Sequence, residues 1–383
     1  MIGCKRSFHV RAQVFFRLGF VATQIKVLLW PAAFVLASVF PLAAQDISSS
    51  VDDFMNAQMQ ASLFSGSILI ARSDKVLVRK GYGMANAELD VPNSSETNFR
   101  IGPISQQFTA MAILQLQEKG KLDVQDTICK YIPECPNKWR EIKIINLLVH
   151  TSGIPELTDS AEFQRTMASA MTVPEYLRRL KKEPLEFTPG DKFHLSDSGY
   201  VVLGATIETV SGTSYAKYLQ EHIFNPLGMS DTGYDSPRGI IPHRASGYRR
   251  NGGTLVNSPY PDMSISYSAR GLYSTVEDLY RWDRALDSEK LVSRRSLEQM
   301  FTPYRDGSGF GWMILKEFGR KALTRGGRVN GFSASIRRYP DDHACVIVLS
   351  NLESSDAERI SHDLATILWA STMTSRRNVA LSK

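Results

Sequence analysis

Histidine and cysteine are both scarce in this chain. Seven histidines are scattered over 383 residues, and the four cysteines show no zinc-ligand spacing. No resident metal and no other cofactor is expected. Internal repeats and low-complexity tracts are also missing, which excludes solenoid and propeller architectures. A charge excess of one sign is missing once the first 45 residues are set aside. The whole chain carries 45 basic and 39 acidic residues. Lys5, Arg6, Arg11, Arg17 and Lys26 lie in that opening segment with no acid among them, leaving 40 basic against 39 acidic residues. The apparent basicity therefore belongs to targeting and gives no support for nucleic-acid binding.

The opening segment couples this basic region to an apolar run from Val27 to Leu42, closing on Ala43-Ala44-Gln45. That is the pattern of a secretory signal, assigned to residues 1–44. The basic region is long, and Leu42 suits a cleavage site poorly, so an uncleaved membrane anchor is the competing expectation. Either way the mature chain is expected to be periplasmic or secreted, and to meet the membrane only through this segment if it is kept.

What remains is apolar enough (43% of the chain) and long enough to bury a large core. Ser67-Ile68-Leu69-Ile70-Ala71 and Val76-Leu77-Val78-Arg79 flank a tight Ser73-Asp74-Lys75 turn, a hairpin signal. Ile104, Phe108, Met111 and Ala112 fall on one stripe of a helix predicted over 104–119, with Gly120 as its stop. Strand signals return at Gly309–Ile314, Phe332–Ile336 and Cys345–Leu349. Ser355-Asp356-Ala357-Glu358 reads as a capping box, followed by Ile360, Leu364, Ile367 and Leu368 at helical spacing. The pattern predicts one antiparallel sheet built from both chain ends, flanked by helices and interrupted by a helical insertion.

Cys4 falls in the leader and Cys345 in an apolar strand run, where it reads as a core residue. Cys129 and Cys135 flank a five-residue stretch, and two readings stay open: a small disulfide loop in an oxidising compartment, or two independent half-buried thiols.

One stretch is more informative than any other: Phe99-Arg100-Ile101-Gly102-Pro103-Ile104-Ser105-Gln106-Gln107-Phe108-Thr109-Ala110. With Leu147-Leu148-Val149-His150-Thr151-Ser152-Gly153-Ile154-Pro155, Phe187-Thr188-Pro189-Gly190, Pro226-Leu227-Gly228-Met229 and Gly271-Leu272-Tyr273-Ser274-Thr275, it resembles the serine β-lactamase and penicillin-binding-protein group. The class C-like hydrolases and D-alanyl carboxypeptidases are the nearest in style. The resemblance spans residues 50–352. It implies the β-lactamase/transpeptidase-like fold, an α/β part joined to an all-α part. On this reading residues 46–372 form one domain, with the α/β part in 50–100 and 265–372, the helical part in 101–264, and a tail over 373–383.

The same resemblance exposes what is missing at the chemical positions. The family carries Ser-x-x-Lys at the start of its active-site helix; here the serine position is Pro103 and the lysine position is Gln106. Proline supplies no nucleophile but suits the first helical position, and an amide takes no proton at neutral pH. Within Phe193-His194-Leu195-Ser196-Asp197-Ser198-Gly199-Tyr200, Leu195 replaces the tyrosine of the Tyr-x-Asn motif and Asp197 its asparagine. Leucine relays no proton and is expected to fill space. In Thr324-Arg325-Gly326-Gly327-Arg328-Val329-Asn330-Gly331-Phe332, Arg325 takes the cationic position and Gly327 is kept. The implied ligand-binding set is Arg325, Asp197 and Gly327. Asp197 and Arg325 are expected either to pair and close the cleft or to leave an open anion site. Arg270 adds a bulky cation to a run that is small in the family.

A relocated nucleophile is the rival expectation. Ser105 lies two positions after Pro103, about 200° round the helix, and should face away from the cleft. His194 and Asp197 would supply its base and orienter. Ser214-Tyr215-Ala216-Lys217 also spells Ser-x-x-Lys, and is read as chance. The expected function is that of a catalytically silent binding or regulatory module of the cell envelope. Peptidoglycan peptides, other acyl-peptides or a protein partner are its expected ligands. The alternative is an active β-lactamase, D-Ala-D-Ala carboxypeptidase or esterase working through a displaced serine.

Overall fold

A computed structural model describes the backbone of residues 39–381 and the side chains of residues 47–370. The expected leader cleavage site and the 373–383 tail lie outside the described side chains. Among the described residues no helix is long and apolar enough to cross a membrane.

The sheet has six antiparallel strands: β1 (Gly66–Arg72), β2 (Lys75–Tyr82), β3 (Met313–Glu317), β4 (Arg320–Val329), β5 (Phe332–Tyr339) and β6 (Ala344–Ser350), in the order β3-β4-β5-β6-β1-β2. Two strands come from the front of the chain and four from the back, joined where β1 pairs with β6. The β1–β2 turn uses Ser73 and Asp74, both at positive φ, as a two-residue hairpin of right-handed twist requires.

Alternation along the strands sorts the core onto two faces. Cys345, Ile347 and Leu349 of β6 join one cluster; Ala344, Val346 and Val348 join the other. The second face is covered by α1 (Val39–Gln60), through Ile47, Val51 and Met55, and by the C-terminal helix, through Ile360, Leu364 and Leu368. These residues recur every four positions, the apolar stripe of a helix lying on a sheet.

The first face carries α2 (Ser105–Glu118), whose residues Ser105–Leu116 are all buried. The predicted stripe is there, but this helix is enclosed on every side. α3 (Val173–Leu180) packs on α4 (Asp197–Ser211), which with the short α5 (Tyr267–Arg270) packs on α2, while α6 (Val276–Ala285) lies directly against β1 and β6. A three-stranded ribbon joins Phe99–Arg100, Leu272–Ser274 and Gly233–Tyr234, tying the entrance of α2 to the exit of α5.

Two local expectations are corrected. Gly309–Trp312 is a turn and the strand begins only at Met313. Gly311 sits at φ +76, so close to α2 that a Cβ there would lie 2.8 Å from the Gln107 backbone. Its aromatic neighbours Phe310 and Trp312 supplied the strand-like signal by being buried. The C-terminal helix α7 (Ala357–Leu381) is capped by Asp356, whose Oδ1 accepts the Arg359 N–H at 3.0 Å. Ser355 instead donates to the Leu63 carbonyl at 2.8 Å.

Candidate functional site

The 3₁₀ turn Gly102–Ile104 feeds directly into α2, with Pro103 at its start. Proline has no N–H to leave unsatisfied there, and its fixed φ suits the turn. Pro103 is buried beneath β4, where Gly327 passes over it.

Gln106 is fully buried one turn later and is held at both ends. Its amide nitrogen donates to Asp197 Oδ1 at 3.0 Å, and its carbonyl oxygen accepts from Arg325 Nη2. A neutral side chain with one donor end and one acceptor end is what a carboxylate and a guanidinium facing each other require between them. Arg325 also donates from Nε to the Pro103 carbonyl at 3.4 Å. Burial lowers its pKa, opposed by Tyr200 and by the charge of Asp197.

Neither of the two expected arrangements, a direct Asp197–Arg325 pair or an open anion site, is what forms. Gln106 stands between the two residues, and the ion-pair partner of Asp197 is Arg270, through Nε and Oδ2. Arg270 reaches on to the Arg328 carbonyl of β4 through Nη1, at 3.1 Å. Leu195 is also corrected: it is 51% exposed and fills no interior space.

Ser105 does face away from the cleft. It is fully buried, and its Oγ accepts the Leu272 N–H at 3.2 Å. His194 does not meet Asp197; its Nδ1 lies 2.5 Å from Glu186 at the surface. Ser214 caps the helix Tyr215–Leu219 by accepting from the Lys217 N–H, so this Ser-x-x-Lys is a helix start. Cys129 and Cys135 are joined in a disulfide, and Cys345 is a free buried thiol.

Sequence reasoning missed Glu156. Its Oε2 accepts the N–H groups of Asp197, at 2.5 Å, and Ser198, at 3.1 Å, and its Oε1 accepts from Thr158 N at 2.9 Å. It thus satisfies donors that the start of α4 leaves open. Burial raises its pKa, and the neighbouring Asp197 charge raises it further. The sequence holds no periodic or motif signal for it. His150 lies within the Leu147–Pro155 motif. It is buried, accepts the Ser196 N–H on Nδ1 at 3.2 Å, and is held neutral by burial and by the nearby Arg325.

Outside Arg270 lies a cavity of about 410 Å³ lined by Arg270, Gly327, Arg328, Ser333 and the Asp356–Glu358 start of α7. Among the described residues one trio, Asp74, Asp287 and His343, has metal-ligand spacing. Its carboxylates are already engaged by Arg284 and Arg338, which supply the positive charge a metal would bring.

The start of α2 thus offers no side-chain nucleophile at Pro103 and, one turn on, a neutral amide at Gln106 whose two ends are both engaged. A family description, Beta-lactamase, matches residues 51–368. A Bacillus subtilis protein whose name, PbpX, places it with the penicillin-binding proteins is 33% identical over 293 residues, covering 76% of this chain and 72% of its own. Protein flp of Staphylococcus aureus is 28% identical over 339 residues, covering 84% of this chain and 66% of its own. Among solved structures, the octameric penicillin-binding protein homologue from Pyrococcus abyssi superposes with a TM-score of 0.73 at 29% identity, over 84% of this chain and 77% of that one. The matched span takes in both ends of the sheet and the helices between them, and the chain belongs to the Beta-lactamase family.

Proposed function

We propose that this protein is a non-hydrolytic member of its family, acting in the cell envelope as a binding or regulatory module. Export through the N-terminal segment is part of the same proposal. The observation that carries it is the pair of side chains at the start of α2. Pro103 has no nucleophilic atom, and Gln106 spends both ends of its amide on Asp197 and Arg325. Leu195 offers no proton relay where the family has a tyrosine. Acyl-peptides, including peptidoglycan peptides, are the favoured ligand class because two of the relatives carry penicillin-binding-protein descriptions. A protein partner is the alternative occupant.

The rival reading, hydrolysis from Ser105, is disfavoured because that hydroxyl is enclosed and already accepts a backbone N–H. The test is exposure of the folded mature protein to a fluorophosphonate and, separately, to a penicillin. Intact mass and peptide mapping then locate any adduct. No adduct is expected. A stoichiometric adduct on one serine would overturn the proposal.

A further inference from the structure

Four elements meet around Asp197 in a closed polar ring. Arg325 and Arg328 lie on the same strand, β4. From Arg325 the path runs through the Gln106 side chain on α2 to Asp197 at the start of α4. It continues to Arg270 on α5 and returns to β4 through the Arg328 carbonyl. The anion in this ring is Asp197: an amide NH₂ donates to its Oδ1, and the Arg270 guanidinium lies against its Oδ2 as an ion pair. Convergent planar donors of this kind form a receptor for a carboxylate.

We propose that the old cleft is a carboxylate-binding site occupied by the protein's own Asp197, so that the resting chain is closed by self-ligation. This rests on the reading that no covalent nucleophile works here. A carboxylate already held in place by the fold has lost its translational and rotational freedom, so it competes at an effective concentration far above that of any dissolved acid. Simple carboxylates in solution therefore do not displace it. The ring is weakest at its outer side, where the Arg270 side chain is 36% exposed while that of Asp197 is 9% exposed. The cavity of about 410 Å³ begins at the same arginine. A natural opener is thus a carboxylate whose remaining body also uses Arg328, Ser333 and the first turn of α7. Its acid group takes over Arg270 as its body fills the cavity.

The experiment vacates the site and supplies the missing group from solution. In the full mature protein, Asp197→Gly should lower the thermal midpoint. Sodium acetate should then restore it in a saturable way, by about 2 °C or more at 100 mM. Sodium chloride at equal ionic strength and acetamide should restore nothing. Wild type should show no acetate-specific shift, and Asp197→Gly/Arg270→Ala should lose the restoration. If Asp197→Gly does not fold, Asp197→Ser carries the same comparison. A folded variant indifferent to acetate overturns the proposal. So does a wild-type protein that takes acetate as readily as the variant, because its cleft would then be open. A serine adduct with penicillin would instead overturn the non-hydrolytic reading, and the acetate comparison, which has no covalent step, reports separately.

Discussion

Gly327 lies directly over Pro103: a Cβ at Gly327 would stand 2.8 Å from the proline Cγ and 3.2 Å from its Cδ. Pro103 is therefore the residue on which the neighbouring strand rests. Gly327→Ala should destabilise the protein by about 1–3 kcal/mol, from overpacking and from the strain of an L-residue at φ +144. Pro103→Ala removes the atoms met first, so the double variant should recover part of the loss. Denaturant midpoints of the four proteins in a double-mutant cycle measure this coupling. Strict additivity would mean that the two residues do not press on each other.

Gln106 holds two buried charges apart and satisfies both. Gln106→Ala leaves an oxygen of Asp197 and a guanidinium nitrogen of Arg325 without their partner, and should cost about 3 kcal/mol or more. Gln106→Lys restores the residue of the family motif but sets an ammonium beside a guanidinium whose pKa burial already lowers. It should be no more stable than Gln106→Ala in urea at neutral pH. Pro103→Ser with Gln106→Lys should not bring back family-like turnover of a chromogenic cephalosporin, because Leu195 still relays no proton. Near-normal turnover in that double variant would refute the account of the site.

The frame was legible because it rests on periodicity and on local turn chemistry. The Ser73-Asp74 hairpin, the helix opening at Pro103 and the two-sided run at Cys345–Leu349 all appear where the pattern puts them. The Gly309–Ile314 segment misled because burial against α2 and pairing in a sheet select the same aromatic residues. At the site, the residues could be read by position, but their contacts could not. Whether Arg325 or Arg270 reaches Asp197 depends on a few ångströms between α5 and β4, which residue type does not encode. Glu156 escaped for a related reason. Its role is to meet the backbone N–H groups of a helix start 41 residues later, and such a contact leaves no local pattern.

The Cys129–Cys135 bridge closes a short loop, so its removal should be modest. Chain-entropy reasoning for a loop of this length gives about 2 kcal/mol. Ile132 and Pro133 within the loop line a groove shared with Val173, Pro174 and Leu177 at the start of α3. Reduction should therefore loosen that wall without disturbing the sheet. The Cys129→Ser/Cys135→Ser variant should lose about 2 kcal/mol in denaturant, with faster amide exchange over 128–136 and 173–180 and unchanged exchange in β1 and β6. Uniform loss of protection across the sheet would contradict a local role for the bridge.

His150 should make the protein lose stability in mild acid. Its ring is buried against Tyr200 and Phe193, and Nδ1 must stay unprotonated to accept the Ser196 N–H. Burial first, and the Arg325 charge second, hold its pKa well below the ordinary 6.5. The unfolded chain takes up a proton near 6.5 while the folded chain does not. The unfolded state then binds more protons below that pH, so this contribution is complete above 6.5 and is lost as the pH falls, by up to about 1.4 kcal/mol per unit. Glu156 works in the opposite sense, because its raised pKa favours the folded state at low pH and that advantage fades as pH rises. The two are separated by comparing wild type with His150→Asn, whose side chain tolerates the positive φ of 56° at this position and does not titrate. The stability difference between them should narrow from pH 7.5 to pH 5, since only wild type pays for keeping an imidazole neutral. Parallel curves over that range would show that His150 is protonated in the folded protein, and that the Ser196 contact does not hold it neutral.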